Sequence, residues 1–192
     1  MQPIKIITSH IVPVMTDNID TDQLVSRDSL KKVNKVSLAA MLFYGQRYLA
    51  SGAKNPTFPL NDPRRAGAQI LVTGRNFGCG SSWEHAAWAL RDYGFRAVIA
   101  KNFNDIFYMN AIKNGILPLE LTAAQCDELA ALPADTEVTI DLPQQTVQVG
   151  TRQFTFTIDP LWKDKLQRGT SDIAMTAKHA EQIAQFEHNL GE

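Results

Sequence analysis

Residues 74–85 read Gly-Arg-Asn-Phe-Gly-Cys-Gly-Ser-Ser-Trp-Glu-His, a glycine-rich loop that runs straight into a helix start. Gly74, Gly78 and Gly80 allow a tight turn and a close backbone approach to a ligand. Ser81 fits an N-cap, and Glu84 three residues on completes a capping-box spacing. The N–H groups and dipole of such a helix start favour an anion. The loop predicts a pocket for a carboxylate or phosphate with the Ser81 and Ser82 hydroxyls at its mouth. Read locally, Ser81 caps the helix, Ser82 fills its first turn and Glu84 is the capping partner.

Other residues carry weaker signals. Asp20, Thr21 and Asp22 form a second polar loop, which turn chemistry alone would explain. So short an acidic cluster offers little to magnesium or calcium. His85 has no partner in the sequence that would make it a general base. Cys79 and Cys126 show no zinc spacing and are too few thiolates for an iron–sulfur cluster held by this chain alone. Cys79 reads as a small residue in a crowded loop, and it becomes a reactive thiol only if its pKa is lowered. Lys54-Asn55-Pro56-Thr57-Phe58-Pro59 reads as a mobile loop near substrate or partner. Phe103, Ile106, Phe107 and Met109 read as core residues on a helix.

The elements that must position these residues follow from periodicity. Residues 4–15 alternate apolar and polar and predict one or two strands. Residues 17–23 read as a loop. Residues 36–50 carry apolar side chains at helical spacing. Residues 51–67, punctuated by Gly52, Pro56, Pro59, Pro63 and Gly67, read as a long irregular segment, which suggests function or mobility. From residue 69 the order is strand (69–73), loop, helix (81–93, stopping at Gly94), strand (97–100), helix (103–113, stopping near Gly115) and strand (116–119). That alternation argues for a parallel α/β core. A helix over 122–131 and three β-rich runs, 137–142, 145–149 and 152–158, suggest a meander after it. Residues 160–168 and 172–188 read as helical.

Composition sets outer bounds. A chain of 192 residues with 44% hydrophobic content fits one domain with a real core, 1–192, ending in a helical segment from about 160. With 19 basic and 20 acidic residues the net charge is −1, which gives no electrostatic reason to expect nucleic acid or a membrane as partner. No apolar run reaches membrane-spanning length, and Met1-Gln2-Pro3-Ile4-Lys5 lacks a signal-peptide layout. A cytoplasmic location is the resulting expectation.

Asn76-Phe77-Gly78-Cys79-Gly80-Ser81-Ser82-Trp83-Glu84-His85-Ala86 resembles the signature of the aconitase-superfamily swivelling domain. More narrowly, it resembles the small subunits of 3-isopropylmalate dehydratases. Asp17-Asn18-Ile19-Asp20-Thr21-Asp22-Gln23, Leu42-Phe43, Arg47-Tyr48-Leu49 and Asp92-Tyr93-Gly94-Phe95 match at family spacing. So do Asp105-Ile106-Phe107-Tyr108, Leu117-Pro118, Phe156-Thr157-Ile158-Asp159-Pro160 and Gly169-Thr170-Ser171-Asp172-Ile173. Each string is weak alone, but their order and spacing make the set specific.

The resemblance implies a swivelling β/β/α domain with a partly parallel sheet flanked by helices. It implies a hydro-lyase that interconverts 2-isopropylmalate and 3-isopropylmalate through an alkene, active only with a large subunit carrying a [4Fe–4S] cluster. This chain itself would hold no cofactor. Ser81 would be the base, Ser82 a substrate contact, and the Asp20–Thr21–Asp22 loop would face the site, with Asp22 orienting groups there. Gly78 and Gly80 would bring backbone close to the substrate. Trp83 stands where the family string has arginine, and so loses a fork suited to a carboxylate. Three readings stay open: another cation, Arg75, Arg47 or Arg27, makes the contact; the substrate is a related hydroxy acid of the methylmalate or homoaconitate type; or the subunit is a weak enzyme or a non-catalytic regulator.

Overall fold

The stretch from Ile6 to Val14 forms two short strands, β1 (Ile6–Ser9) and β2 (Ile11–Val14), and they enter different sheets. The computed structural model describes residues 1–26, 38–177 and 179–190. A one-turn helix α1 (Thr21–Leu24) follows β2, capped by the Asp20 carboxylate, which accepts the Gln23 N–H at 2.6 Å. The helix predicted over 36–50 is instead two short pieces in the described part, α2 (Leu38–Met41) and α3 (Tyr44–Arg47). Between them Phe43 is left-handed, with φ 52°, and its N–H donates to the Leu24 carbonyl at 2.9 Å. A bond to another element has taken the donor that a continuous helix needs. Two 3₁₀ turns, Pro59–Asn61 and Pro63–Arg65, give the irregular segment some order. The Asn61 amide ties it back by donating to the Arg47 and Asn55 carbonyls at 2.7 and 2.8 Å.

The α/β alternation then appears as β3 (Ile70–Thr73), α4 (Glu84–Tyr93), β4 (Ala97–Ala100), α5 (Asp105–Lys113), β5 (Leu117–Glu120) and α6 (Ala123–Ala130). β2, β3, β4 and β5 lie side by side, all parallel. β6 (Val138–Asp141), β7 (Thr146–Val149) and β8 (Arg152–Thr155) form the expected meander, and β1 joins β6 to complete an antiparallel sheet in the order β1-β6-β7-β8. Three helices follow: α7 (Pro160–Arg168), α8 (Asp172–Ala177) and α9 (Ala180–Leu190), so the helix expected over 172–188 is interrupted. Among the described residues no helix is long and apolar enough to cross a membrane.

Alternation along the parallel strands divides the core in two. Leu71, Val98 and Ala100 face one way, with Ala86, Ala87, Ala89 and Leu90 of α4 and Phe107 of α5. Ile70, Val72, Ala97 and Ile99 face the other way, with Ile7, Val138, Ile140 and Val147 of the antiparallel sheet and Leu129 of α6. Both faces of the parallel sheet are covered, which is why β3 and β4 are buried at every position and apolar at all but Thr73. The layers are antiparallel sheet, parallel sheet and helices, which is the β/β/α arrangement expected. Ile106 departs from its core reading: it lies on the outer side of α5 and is 48% exposed, while Phe107 beside it is buried.

Candidate active site

Three loops leave the C-terminal ends of adjacent parallel strands, after Val14, Thr73 and Ala100. Those ends are where open α/β sheets bind ligands. The loops are stitched together by backbone. Asp17 Oδ1 accepts the Arg75 N–H at 2.7 Å, and Asn18 N–H donates to the Arg75 carbonyl at 2.8 Å. Asn18 and Asn76 are both left-handed, with φ 57° and 53°, and the Asn76 amide donates to Asn18 Oδ1 at 2.9 Å. Asparagine tolerates that conformation better than most residues. From the third loop Asn102 Oδ1 accepts the Asn76 N–H at 2.6 Å, and its carbonyl accepts the Phe77 N–H at 3.2 Å.

The glycines make this approach possible. A Cβ on Gly74 would fall 2.3 Å from Asp17 Oδ1, and one on Gly78 would fall 2.2 Å from the Phe107 ring. Gly78 has φ +75° and its N–H donates to the Ile19 carbonyl at 2.8 Å. Its part is therefore conformational, its donor being already used inside the protein. Gly80, at φ +88° and exposed, sits beside Asp20.

The loop of Asp20 and Thr21 meets the Ser81 loop directly. Thr21 N–H donates to the Cys79 carbonyl at 3.0 Å, and Thr21 Oγ1 donates to the Ser81 carbonyl at 2.9 Å. Thr21 is only 2% exposed, so its hydroxyl is spent as a strut beneath Ser81. The Ser81 carbonyl also accepts the Trp83 N–H at 2.7 Å. Ser81 is half-buried, whereas Ser82, Asp22 and Arg75 are exposed. Fold and site agree on one point: residues predicted from two distant stretches are brought together.

The capping box over Ser81 and Glu84 does not form. α4 begins at Glu84, and Trp83, the residue before it, makes no side-chain cap. The bonds to its carbonyl hold Ser81 two residues ahead of the cap position. The Glu84 carboxylate instead accepts the Asn114 amide at 2.8 Å, joining α4 to the end of α5. Trp83 and His85 meet edge to face at 6.0 Å between centroids, and His85 packs on Trp88 at 4.6 Å. Ala87 and Leu90, with which Trp83 would share a helix stripe, are fully buried, while Trp83 is only partly so.

The candidate cations separate clearly. Arg47 is 8% exposed, donates to the Ala39 and Leu42 carbonyls at 3.0 and 3.1 Å, and lies over the Tyr93 ring at 5.1 Å. Its guanidinium is committed to the fold. Arg27 lies outside the described residues. Arg75 is the exposed arginine on the glycine loop itself. Among the described residues no group of three His, Cys, Asp or Glu is placed to hold a metal ion. Both cysteines are free; burial, then the nearby Asp20 carboxylate, pushes the Cys79 thiol up, and burial pushes Cys126 up to about 11.

A family model for the aconitase C-terminal domain matches residues 1–124. The 3-isopropylmalate dehydratase small subunit of Oenococcus oeni is 49% identical, over 99% of this chain and 98% of the relative. That of Staphylococcus haemolyticus is 48% identical, over 98% and 97%. The chain belongs to the 3-isopropylmalate dehydratase small-subunit family. The crystal structure of 3-isopropylmalate dehydratase from Methanocaldococcus jannaschii shares the fold, with a TM-score of 0.69 and 23% identity over 94% of this chain and 98% of that one. The family's relatives extend well past residue 124, so the antiparallel sheet and the C-terminal helices lie within the stretch they match.

Asn18, Asn76 and Asn102 were not singled out from the sequence as positioning residues. Asparagine where a loop leaves a strand is the available signal.

A raised thiol pKa leaves less thiolate at neutral pH. Cys79 should therefore react with iodoacetamide at pH 7 several-fold more slowly than free cysteine, and its rate should keep rising past about pH 8.5, the ordinary thiol midpoint. Mass-spectrometric alkylation rates across pH check this; rapid labelling of Cys79 at pH 6–7 would contradict it.

Proposed function

We propose that this chain is the small subunit of a two-subunit hydro-lyase that isomerises 2-isopropylmalate and 3-isopropylmalate through 2-isopropylmaleate, in leucine biosynthesis. One observation carries the reading beyond family membership: the strand-end loops interlock, and the Ser81 carbonyl is held by Thr21 Oγ1 from the neighbouring loop and by Trp83 N–H from its own. A base that must meet one carbon of a bound substrate needs that kind of backbone restraint.

In this reading Ser81 takes a proton from the carbon beside a substrate carboxylate. The hydroxyl on the neighbouring carbon leaves as water and a double bond forms. Water then returns with its hydroxyl and proton exchanged between the two carbons, so atoms balance over the cycle. The N-terminal end of α4 lies just beyond Trp83, and its dipole favours the negative charge at Ser81 and on the carboxylate. Ser82, Asp22 and the Gly80 backbone, all exposed, contact the substrate. Asp20 caps α1, and Thr21 acts through Ser81 from beneath. Arg75 supplies the positive charge that Trp83 does not.

Two thiols, one fully buried, do not make an iron–sulfur ligand set. The [4Fe–4S] cluster belongs in this reading to the large subunit, where it would supply Lewis-acid chemistry to the leaving hydroxyl. This chain supplies the base and the carboxylate contacts, and works in the cytoplasm as a pair with that subunit.

Two substitutions test the assignment in the reconstituted pair. Ser81→Ala should cut turnover by about a hundredfold to ten-thousandfold, the range for a positioned proton-transfer group. The fold should persist, because α4 begins at Glu84 with Trp83 at its cap position, and a lost local side-chain bond costs only about 1 kcal/mol. Turnover near wild type would remove Ser81 from the chemistry. Trp83→Arg should raise kcat/KM for 2-isopropylmalate about tenfold, since a charged hydrogen bond is worth roughly 1.5–3 kcal/mol. A folded, paired Trp83→Arg variant that loses activity would show instead that the pocket is built around the indole.

A further inference from the structure

The opposite end of the parallel sheet holds a cavity of about 650 Å³. It opens where β3 and β4 begin, at Gln69 and Arg96, and where α4 and α5 end, at Gly94 and Lys113. The volume falls within the range of small-molecule sites. Arg91, Arg96 and Lys113 line it, and among its described lining residues there is no Asp or Glu. The remaining polar groups include the Gln2 and Gln69 amides and the Ser171 hydroxyl, all able to donate. Met1, whose ammonium donates to the Gly169 carbonyl at 3.0 Å, stands at the same cavity. In a chain of net charge −1 this is a local concentration of positive charge, not a reflection of overall composition.

Cations near helix C-termini often answer unsatisfied terminal carbonyls. Here backbone donors already do so. Gly94 N–H donates to the Arg91 carbonyl and Phe95 N–H to that of Leu90, both at 3.0 Å. Gly115 and Ile116 close α5 in the same way, on Ile112 at 3.1 Å and Ala111 at 3.0 Å. Arg96 is held in place from the N-terminal segment: Nη1 donates to Gln2 Oε1 at 2.7 Å and Nη2 to the Pro3 carbonyl at 3.0 Å. Arg91 donates to Asp92 Oδ1 from Nε at 3.3 Å and Nη2 at 3.0 Å, and to Asn114 Oδ1 at 3.4 Å; these exposed contacts are worth little net free energy, so an anion can compete for the guanidinium. Gathering three like charges around one cavity costs free energy by mutual repulsion, and a multivalent anion removes that cost.

We propose that this cavity binds a small polyanion, a metabolite carrying two or more phosphate or carboxylate groups, at a site separate from the Ser81 loop. Several cations drawn from three elements suit an anion with more than one charged group, and the volume suits something larger than a single phosphate ion. The site lies at the strand beginnings and the Ser81 loop at the strand ends, so the proposal stands independently of the hydro-lyase reading.

Isothermal titration calorimetry of the full chain with pyrophosphate, and separately with citrate, tests it. At least one probe should bind with one-to-one stoichiometry and an affinity that falls as salt is raised. The double variant Arg91→Gln/Lys113→Gln should weaken that binding at least tenfold, and Arg75→Gln, in the Ser81 loop, by much less. Both changes in the double variant replace side chains at the protein surface, and circular dichroism checks that it stays folded. Binding of pyrophosphate alone would identify phosphate as the group recognised, and binding of citrate alone would identify carboxylate; either supports the site. Absence of binding by both probes, or binding that Arg75→Gln weakens as much as the double variant does, would overturn it.

Discussion

The active-site end of this protein depends on one constraint: two loops approach so closely that a side chain cannot stand between them. Gly74 packs against Thr16 and Asp17 of the other loop, and Gly78 against Phe107 of α5 beneath, each with no room for a Cβ. That contact lets Gly78 N–H reach Ile19 and Thr21 N–H reach Cys79, which in turn brings the Thr21 hydroxyl to the Ser81 carbonyl. The parallel sheet supplies the platform. Val14 and Thr73 are register partners at the ends of β2 and β3, so the two loops start side by side before any side chain is considered.

Several polar residues that look available for chemistry are committed to bonds within the fold. The Asp20 carboxylate caps α1, Glu84 ties α4 to α5, and Arg47 is folded over tyrosine beneath α2. Ser82 and Gly80, next to Ser81 in the chain, are exposed, as are Asp22 and Arg75 on the two interlocked loops. An exposed half-site on a rigid base suits a subunit that completes its pocket against another chain. Trp83, packed on His85 at the start of α4, changes the balance of that half-site from charge toward apolar surface.

Much of this was legible in the sequence because it depends on local pattern. The runs Ile70–Thr73 and Ala97–Ala100, with a helix between them that stops at Gly94, specify a covered parallel sheet. The two site loops were legible as glycine-rich and Asp/Asn-rich strings. Their meeting was visible only through family resemblance, because no local rule says which loops face each other. Where the reading failed, a long-range bond outweighed a local preference. Ser81 matches a helix cap, but bonds from Thr21 and Trp83 hold it short of that position. Residues 36–50 have helical spacing, but Leu24 takes the Phe43 N–H. β1 and β2 read as one alternating stretch but differ in pattern: β1 (Ile-Ile-Thr-Ser) is partly exposed and β2 (Ile-Val-Pro-Val) is almost wholly buried, which suits an antiparallel and a covered parallel sheet on either side of His10. Asn102 offered only the weak signal of an asparagine at a strand end, because its partner, the Asn76 N–H, lies in another loop.

Ser81 is held in place by the Thr21 loop, through the Thr21 hydroxyl and the cross-loop backbone bonds of Gly78 and Thr21 that position it, rather than by the start of α4. Residue-resolved amide hydrogen exchange on the native chain tests this claim most directly. If the claim holds, the N–H groups of Gly78 and Thr21 exchange on the slow timescale of Leu71 in the middle of the parallel sheet, despite lying in loops. Exchange of both amides as fast as that of an exposed turn such as Ser51-Gly52 would show that the loops part readily, and would contradict it.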